Sequence, residues 1–326
     1  MQQPCLYCGS VETEPYLNDL QDRLNHVQGS WNWRRCSQCG SGVLDPFPKL
    51  EDIASFYPPV YTFGSGKSEQ GSLRQLLSKL EYTCFFLPQY EGQARAILRQ
   101  TGLLYRPDAT MLDVGCGSGL RLKSYQNLGL KVTGMDFEQS AVDYVASTLK
   151  IPAVCTDIPG LRNSFRPNSF DLITAFQVIE HVPDIHEFLE TIHLLLRPGG
   201  WAVITTPLID GANAHMFGNR WVAATEIPRH LSLASQKGLT GALHRNSFLD
   251  INLQADTLWM NAGCFGLSAV PGAATTHFHS GGKLSAIAKR AAGAMAAFAG
   301  IPYCWVESRI WQKPSIGMVY GRKPLE

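Results

Sequence analysis

The stretch Met111-Leu112-Asp113-Val114-Gly115-Cys116-Gly117-Ser118-Gly119 constrains the fold of this chain more than any other. An apolar run stops at three alternating glycines and Leu120 to Leu128 follows with helical character, so the pattern predicts a buried strand, a tight turn and a helix. Glycines at 115, 117 and 119 remove the Cβ atoms that would hold a ligand off the backbone, and the helix start behind them offers unpaired N–H groups. A tight strand-to-helix turn needs glycine whether or not anything binds, so the turn alone assigns no ligand. Lys131 to Asp136 then predicts a second strand that ends in an acid, at the distance where doubly wound folds place the carboxylate that accepts ribose hydroxyls. The spacing suits a nucleoside.

A dinucleotide fingerprint would put a third glycine at position 120, where Leu120 stands. The GxGxG form behind Asp113 instead resembles the first motif of class I S-adenosylmethionine-dependent methyltransferases. Further segments resemble that family's later motifs in order: Cys155-Thr156-Asp157-Ile158, Phe170 through Val182, and Leu195-Leu196-Arg197-Pro198-Gly199-Gly200 leading into an apolar strand. The likeness covers roughly residues 108 to 260. It implies an α/β, Rossmann-like, doubly wound seven-stranded sheet with the last strand antiparallel. It also implies S-adenosyl-L-methionine as cofactor, held by Asp113, Gly115, Cys116, Gly117, Gly119, Asp136, Phe137, Asp157, Ile158, Phe176 and Gln177. Each side chain also has a plainer reading: Asp136 as a helix cap, Phe137 as core, Asp157 as a turn residue.

Four of the nine cysteines form two knuckles, Cys5-Leu6-Tyr7-Cys8-Gly9 and Cys36-Ser37-Gln38-Cys39-Gly40. Two residues between thiolates let both sulfurs reach one tetrahedral ion, and the glycine permits the tight turn that aims N–H groups at sulfur. Cys5, Cys8, Cys36 and Cys39 are therefore expected to hold a structural Zn2+ in a small ribbon, with Trp31, Trp33 and Arg34 on a strand between them. A redox pair or buried thiols are the other readings of such pairs. The expected organisation is ribbon and aromatic arm over 1–60, linker and capping helices over 61–107, and the methyltransferase domain over 108–326. That domain would carry a substrate-wall insertion at 207–234 and a C-terminal helical insertion at 260–313. Residues 260–282, rich in Gly, Ala and His, read as a long loop, and the helix after them reads as broken near Pro302.

The formal charge of +1 gives no electrostatic case for nucleic acid. No basic segment followed by an apolar run opens the sequence and no uncharged apolar run is long enough to span a bilayer, so a cytoplasmic chain without a membrane span is expected. The Ala-rich stretch after 283 reads as core or as a dimer face, leaving monomer and homodimer open; an interfacial helix would need more charge than Lys289 and Arg290 supply.

Glu180-His181-Val182-Pro183-Asp184 is the most chemically loaded loop, because an imidazole near its ordinary pKa can take a proton from a hydroxyl or a carbon acid. It is similar to the EHV segment of ubiquinone-type O-methyltransferases, in which an earlier Glu belongs to the same pattern. Gln177 occupies that position here, and a neutral amide is a poorer ligand for magnesium. The insertion around Asn219-Arg220-Trp221 and Glu226-Ile227-Pro228-Arg229-His230 resembles zinc-ribbon-bearing methyltransferases of sugar and polysaccharide pathways. His181, His230 and Glu180 are the candidate catalytic residues, with capping or loop orientation as their plainer role. The expected function is methyl transfer to a small-molecule acceptor. A non-catalytic nucleoside sensor that uses the ribbon to bind a partner, or an NAD-dependent oxidoreductase, are the alternatives.

Overall fold

The structure is a computed structural model that describes residues 3–23, 27–57, 87–273 and 283–326. Its strands are β1 (Thr13–Leu20), β2 (Trp31–Cys36), β3 (Gly42–Asp45), β4 (Thr110–Val114), β5 (Lys131–Asp136) and β6 (Ala153–Cys155). They continue with β7 (Phe170–Phe176), β8 (Leu196–Pro207), β9 (Ser232–Leu233), β10 (Leu249–Ala255) and β11 (Ile316–Arg322). Seven of them form one sheet in the order β10-β11-β8-β7-β4-β5-β6, mostly parallel and antiparallel at its last strands. The expected doubly wound fold is therefore present.

The chain divides into two compact units, residues 1–58, 177–189 and 204–321 in one and residues 59–176, 190–203 and 322–326 in the other. In the second, β4 pairs in parallel with β5 on one side and β7 on the other, so the chain order reverses beside β4. Open sheets bind ligands outside the carboxyl ends of their strands at such a reversal. Every residue of β7 is buried, as befits a parallel strand covered on both faces. Below the turn, the Asp171 carboxylate accepts from the Thr110 N–H at 2.8 Å and pairs with Arg197 at 2.7 Å, which fixes β7 against β4.

In the first unit, β1, β2, β3 and β9 make an antiparallel sheet, with Val43 opposite Ser232 and Gly42 opposite Leu233. The ribbon thus recruits its last strand from the 207–234 insertion. Trp33 and Trp221 are fully buried in one cluster with Leu44, Ile209, Ala224 and Ile227, and the Trp33 indole N–H donates to the Ala224 carbonyl at 3.0 Å. An indole buried with its N–H satisfied is a strong anchor.

Two expectations for the C-terminal region are corrected. Residues Leu258–Ala269 form a helix where a loop was expected, capped by Thr257, whose hydroxyl accepts from the Met260 N–H at 3.3 Å. The small residues that weaken a single-helix reading let two helices meet: a Cβ on Gly266 would lie 2.4 Å from the Gly293 carbonyl oxygen and 2.8 Å from Ala297 Cβ. The partner helix, Lys283–Arg309, runs unbroken through Pro302. Of the capping helices expected over 61–107, Leu87–Gln100 is present, and the part of that range before residue 87 lies outside the described residues.

Candidate active site

In the glycine turn, Gly115, Gly117 and Gly119 all adopt positive φ, at 72°, 50° and 68°, which explains the residue type before any ligand is considered. Their roles then separate. A Cβ on Gly119 would stand 2.7 Å from Val145 Cγ2 and 2.8 Å from Leu149 Cδ1, so this glycine seats the 145–149 segment against the start of helix Leu120–Asn127. The Gly117 N–H donates to Asp136 Oδ2 at 2.8 Å, and Asp136 Oδ1 accepts from the Glu138 N–H at 3.0 Å. Asp136 therefore braces the turn ahead of helix Gln139–Tyr144, whose N-cap is Glu138, and each of its oxygens keeps a lone pair for a further donor. Burial raises its pKa, while the two N–H groups favour the charged form.

Asp113 is buried and accepts from the Thr174 hydroxyl at 2.6 Å, with burial pushing its pKa up to about 7. It ties β4 to β7 and holds a proton near neutrality. Phe137, just past β5, is 55% exposed, which removes the core reading. Asp157 caps helix Ile158–Ser164, accepting from the Gly160 N–H at 2.9 Å, so its turn role is real; the side chain is exposed. Phe176 lies under the Arg121 guanidinium at 4.3 Å, and Tyr90 lies 4.8 Å from the same group. Arg121 also donates to Gln93. Sequence reasoning missed Arg121, because nothing in one helix announces that its cation will stack on rings from two other elements. It also missed Gly134, where a Cβ would meet Cys116 Sγ at 2.8 Å.

In the other unit, the loop after β7 opens with Gln177 at φ 57°, its N–H donating to the Thr205 carbonyl at 3.0 Å and its amide to the Thr205 hydroxyl at 3.2 Å. Glu180 is fully buried; one oxygen accepts from the Thr206 hydroxyl at 3.0 Å and the other has no hydrogen-bonding partner among the described residues. Burial pushes its pKa up to about 8, so the protonated acid predominates near neutrality.

His181 and His230 stack edge to face, 4.7 Å between ring centroids. His181 Nδ1 lies 3.0 Å from the Arg229 carbonyl, and His230 Nδ1 lies 2.7 Å from the Ala223 carbonyl. A carbonyl only accepts, so both rings carry the Nδ1 proton and leave Nε2 with its lone pair. The Tyr57 hydroxyl stands 3.2 Å from His181 Nδ1 and shares that proton. Burial, reinforced by His230, pushes the His181 pKa down to about 3, and burial likewise lowers His230 against the pull of Glu226, 3.5 Å from its Nε2. The backbone at Arg229 is held by a fully buried pair in which its guanidinium donates twice to Asp22, both at 2.9 Å. Glu180, His181 and His230 bring ligand atoms within 4.8 Å of one another, a donor set better suited to a first-row divalent ion than to magnesium.

The four knuckle cysteines converge as expected, their Sγ atoms all within 4.8 Å of each other. The turns are near copies: Cys5 N–H donates to the Ser10 carbonyl and Cys36 N–H to that of Ser41, each at 2.8 Å, while Gly9 and Gly40 close them at φ 75° and 81°. Sulfurs 3.5 Å apart across the Cys5–Cys39 and Cys8–Cys36 pairs are too far for disulfides, and zinc with bonds of about 2.3 Å would set tetrahedral sulfurs roughly 3.8 Å apart. The hydrogen bond with Cys5 draws the Cys39 thiol down, so a thiolate is already favoured in the cluster.

Comparison with known proteins agrees with this geometry. The methyltransferase-domain family matches residues 86–251, half of the sequence, and the chain belongs to that family. Curated relatives include a ubiquinone biosynthesis O-methyltransferase of Bradyrhizobium sp., 34% identical over 125 residues, covering 36% of this chain and 45% of that protein. Another, from Albidiferax ferrireducens, is 32% identical over 105 residues, covering 29% of this chain and 40% of that protein. The matched stretch thus spans less than half the length of these relatives. Among solved structures, a candidate sarcosine dimethylglycine methyltransferase from Galdieria sulphuraria aligns with a TM-score of 0.50 at 15% identity, covering 84% of this chain and 96% of that one, which is a likeness of fold.

Proposed function

We propose that this protein transfers a methyl group from S-adenosylmethionine to an oxygen of a small hydroxylated acceptor. Intermediates of sugar and polysaccharide pathways belong to that class, and so do phenolic precursors of quinones. The observation that carries the reading is the pair of neutral imidazoles, each with its Nδ1 proton pinned to a backbone carbonyl, the Nε2 lone pair of His181 left to accept a proton and that of His230 facing Glu226 at 3.5 Å. The cofactor would supply the electrophilic methyl. Gly115 to Gly119 give it main chain to lie against, Asp136 accepts from ribose hydroxyls, and Phe137, Asp157 and Ile158 take the adenine. His181 Nε2 accepts the acceptor's hydroxyl proton, with His230 beside it. Zinc in the four-cysteine cluster holds the ribbon and leaves no open position for chemistry.

The test is a screen of nucleotide-linked sugars, lipid-linked sugars and catechols, reading S-adenosylhomocysteine release, with calorimetry against S-adenosylmethionine and NAD to fix the cofactor. General bases contribute about 10²–10⁴-fold, so His181→Ala should cut turnover at least roughly tenfold while cofactor affinity changes little. If both His181→Ala and His230→Ala keep wild-type turnover and pH profile, neither is the base. Binding of cofactor without product from any acceptor would favour a sensor.

A further inference from the structure

The helix pair Leu258–Ala269 and Lys283–Arg309 takes no part in the chemistry above, yet it carries a large exposed apolar surface. Six of the thirteen exposed large hydrophobic side chains among the described residues lie between 259 and 311: Trp259, Met295, Phe298, Trp305, Ile310 and Trp311. On the long helix, the exposed residues between 291 and 308 are Ala, Met, Phe, Pro and Trp without one polar member. With 3.6 residues per turn, Met295, Phe298, Pro302 and Trp305 fall within an arc of about 80° along about 15 Å of helix. Gly293, Gly300, Cys304 and Glu307 are buried on the opposite side. Trp259 meets Phe298 edge to face at 5.5 Å and carries the stripe onto the neighbouring helix. Protein surfaces seldom leave a continuous apolar stripe uncovered.

Charge says what covers it. The exposed charged residues from 288 to 313 are Lys289, Arg290, Arg309 and Lys313, all basic, and the one acid in that span, Glu307, is buried. A second copy of this chain is a poor occupant. Antiparallel pairing would set Arg290 against the partner's basic end, and parallel pairing would set like against like. A surface that is apolar inside and anionic outside satisfies both features, and tryptophan suits the boundary between them. No described helix is long and apolar enough to cross a membrane, so contact would be peripheral.

We propose that this face docks the protein on an anionic lipid surface. Met295, Phe298 and Trp305 enter the headgroup boundary, and the basic side chains at this end, Arg309 and Lys313, pair with lipid phosphates. Arg309 falls within the arc of the stripe and exposed Lys313 follows it, Arg290 flanks the arc, and Lys289 lies on the opposite side of the helix.

Cosedimentation of the full chain with vesicles of phosphatidylcholine alone, and of phosphatidylcholine doped with phosphatidylglycerol, tests this at low and high salt. The protein should pellet with the anionic vesicles at least roughly tenfold more strongly than with the neutral ones, and salt should weaken the binding. Phe298→Asp with Trp305→Asp, and separately Arg309→Glu with Lys313→Glu, should each lower partition at least roughly tenfold. Zinc content and cofactor affinity of these variants should be unchanged, which separates lost docking from lost folding and from failure of the methyltransferase reading. Absence of binding to anionic vesicles overturns the proposal, as does binding indifferent to lipid charge. Light scattering that shows a dimer dissociated by Phe298→Asp with Trp305→Asp also overturns it and makes a second copy the occupant.

Discussion

The two units fix their functional groups by different means. Around β4 and β5 the work is done by main chain: glycines at positive φ open the turn, and backbone N–H groups reach Asp136. In the ribbon and insertion it is done by side chains tethered to main chain, with His181 and His230 each held by a carbonyl and Arg229 clamped by Asp22. A backbone site tolerates a lost side chain, because its shape lies in φ and ψ. A tethered site does not, since each group depends on a partner far away in sequence.

That contrast can be broken most forcefully at the metal. Structural zinc contributes on the order of 10–16 kcal/mol, and this binding energy is folding energy. Cys36→Ser should lose the ion by metal analysis and unfold the sheet of β1, β2, β3 and β9 by hydrogen exchange; one tightly held zinc per chain in that variant would dismantle the four-thiolate assignment. Next in size is Asp22→Ala, which strands a fully buried guanidinium and should cost about 3–5 kcal/mol in a denaturant titration. Its cofactor affinity should stay at the wild-type level, and a matching loss there would erase the distinction between the units.

Glu180→Gln sharpens the comparison through pH. A carboxyl raised from 4.5 to about 8 on folding binds its proton in the native state first, so its contribution is complete below 4.5 and is lost as pH rises through about 8. The buried histidines act in the opposite window: His181 falls from 6.5 to about 3, so stability drops as pH falls through that range. The stability difference between Glu180→Gln and wild type should therefore move in the variant's favour by a few kcal/mol on going from mildly acidic to alkaline solution, one pKa unit being about 1.4 kcal/mol. A flat difference across the same range would mean that Glu180 is ionised throughout. The smallest effect is expected at Asp136→Ala, where losing an acceptor for ribose hydroxyls should weaken cofactor binding by about 1.5–3 kcal/mol, tenfold to a hundredfold, read by calorimetry.

The same contrast explains what could be read in advance. Gly115 to Gly119, Asp136 and the Cys5, Cys8, Cys36, Cys39 set were legible because their chemistry demands a residue type at a fixed short spacing. His181 and His230 were legible as candidates, but not as a stacked pair, because their tethers come from the insertion backbone and from Tyr57. Asp22 carried no signal, and Arg229 appeared only within the insertion motif with nothing to mark its partner: an acid and a base far apart in sequence pair only once the insertion has folded onto the ribbon. The helix Leu258–Ala269 was misread for a related reason. Its glycines are poor helix formers alone and become useful only against the closely packed neighbour at Gly293 and Ala297.

The pairing of β3 with β9 also sets an order of events during synthesis. Gly42 and Val43 leave the ribosome early, while Ser232 and Leu233 follow only after β4 through β8 have been made. Until then the ribbon has an open edge, and closing a loop of that length is slow. Metal captured by the two knuckles would hold the nascent hairpin through that interval, so a cell short of zinc should accumulate this protein as a chain whose core is folded and whose first strands are still waiting.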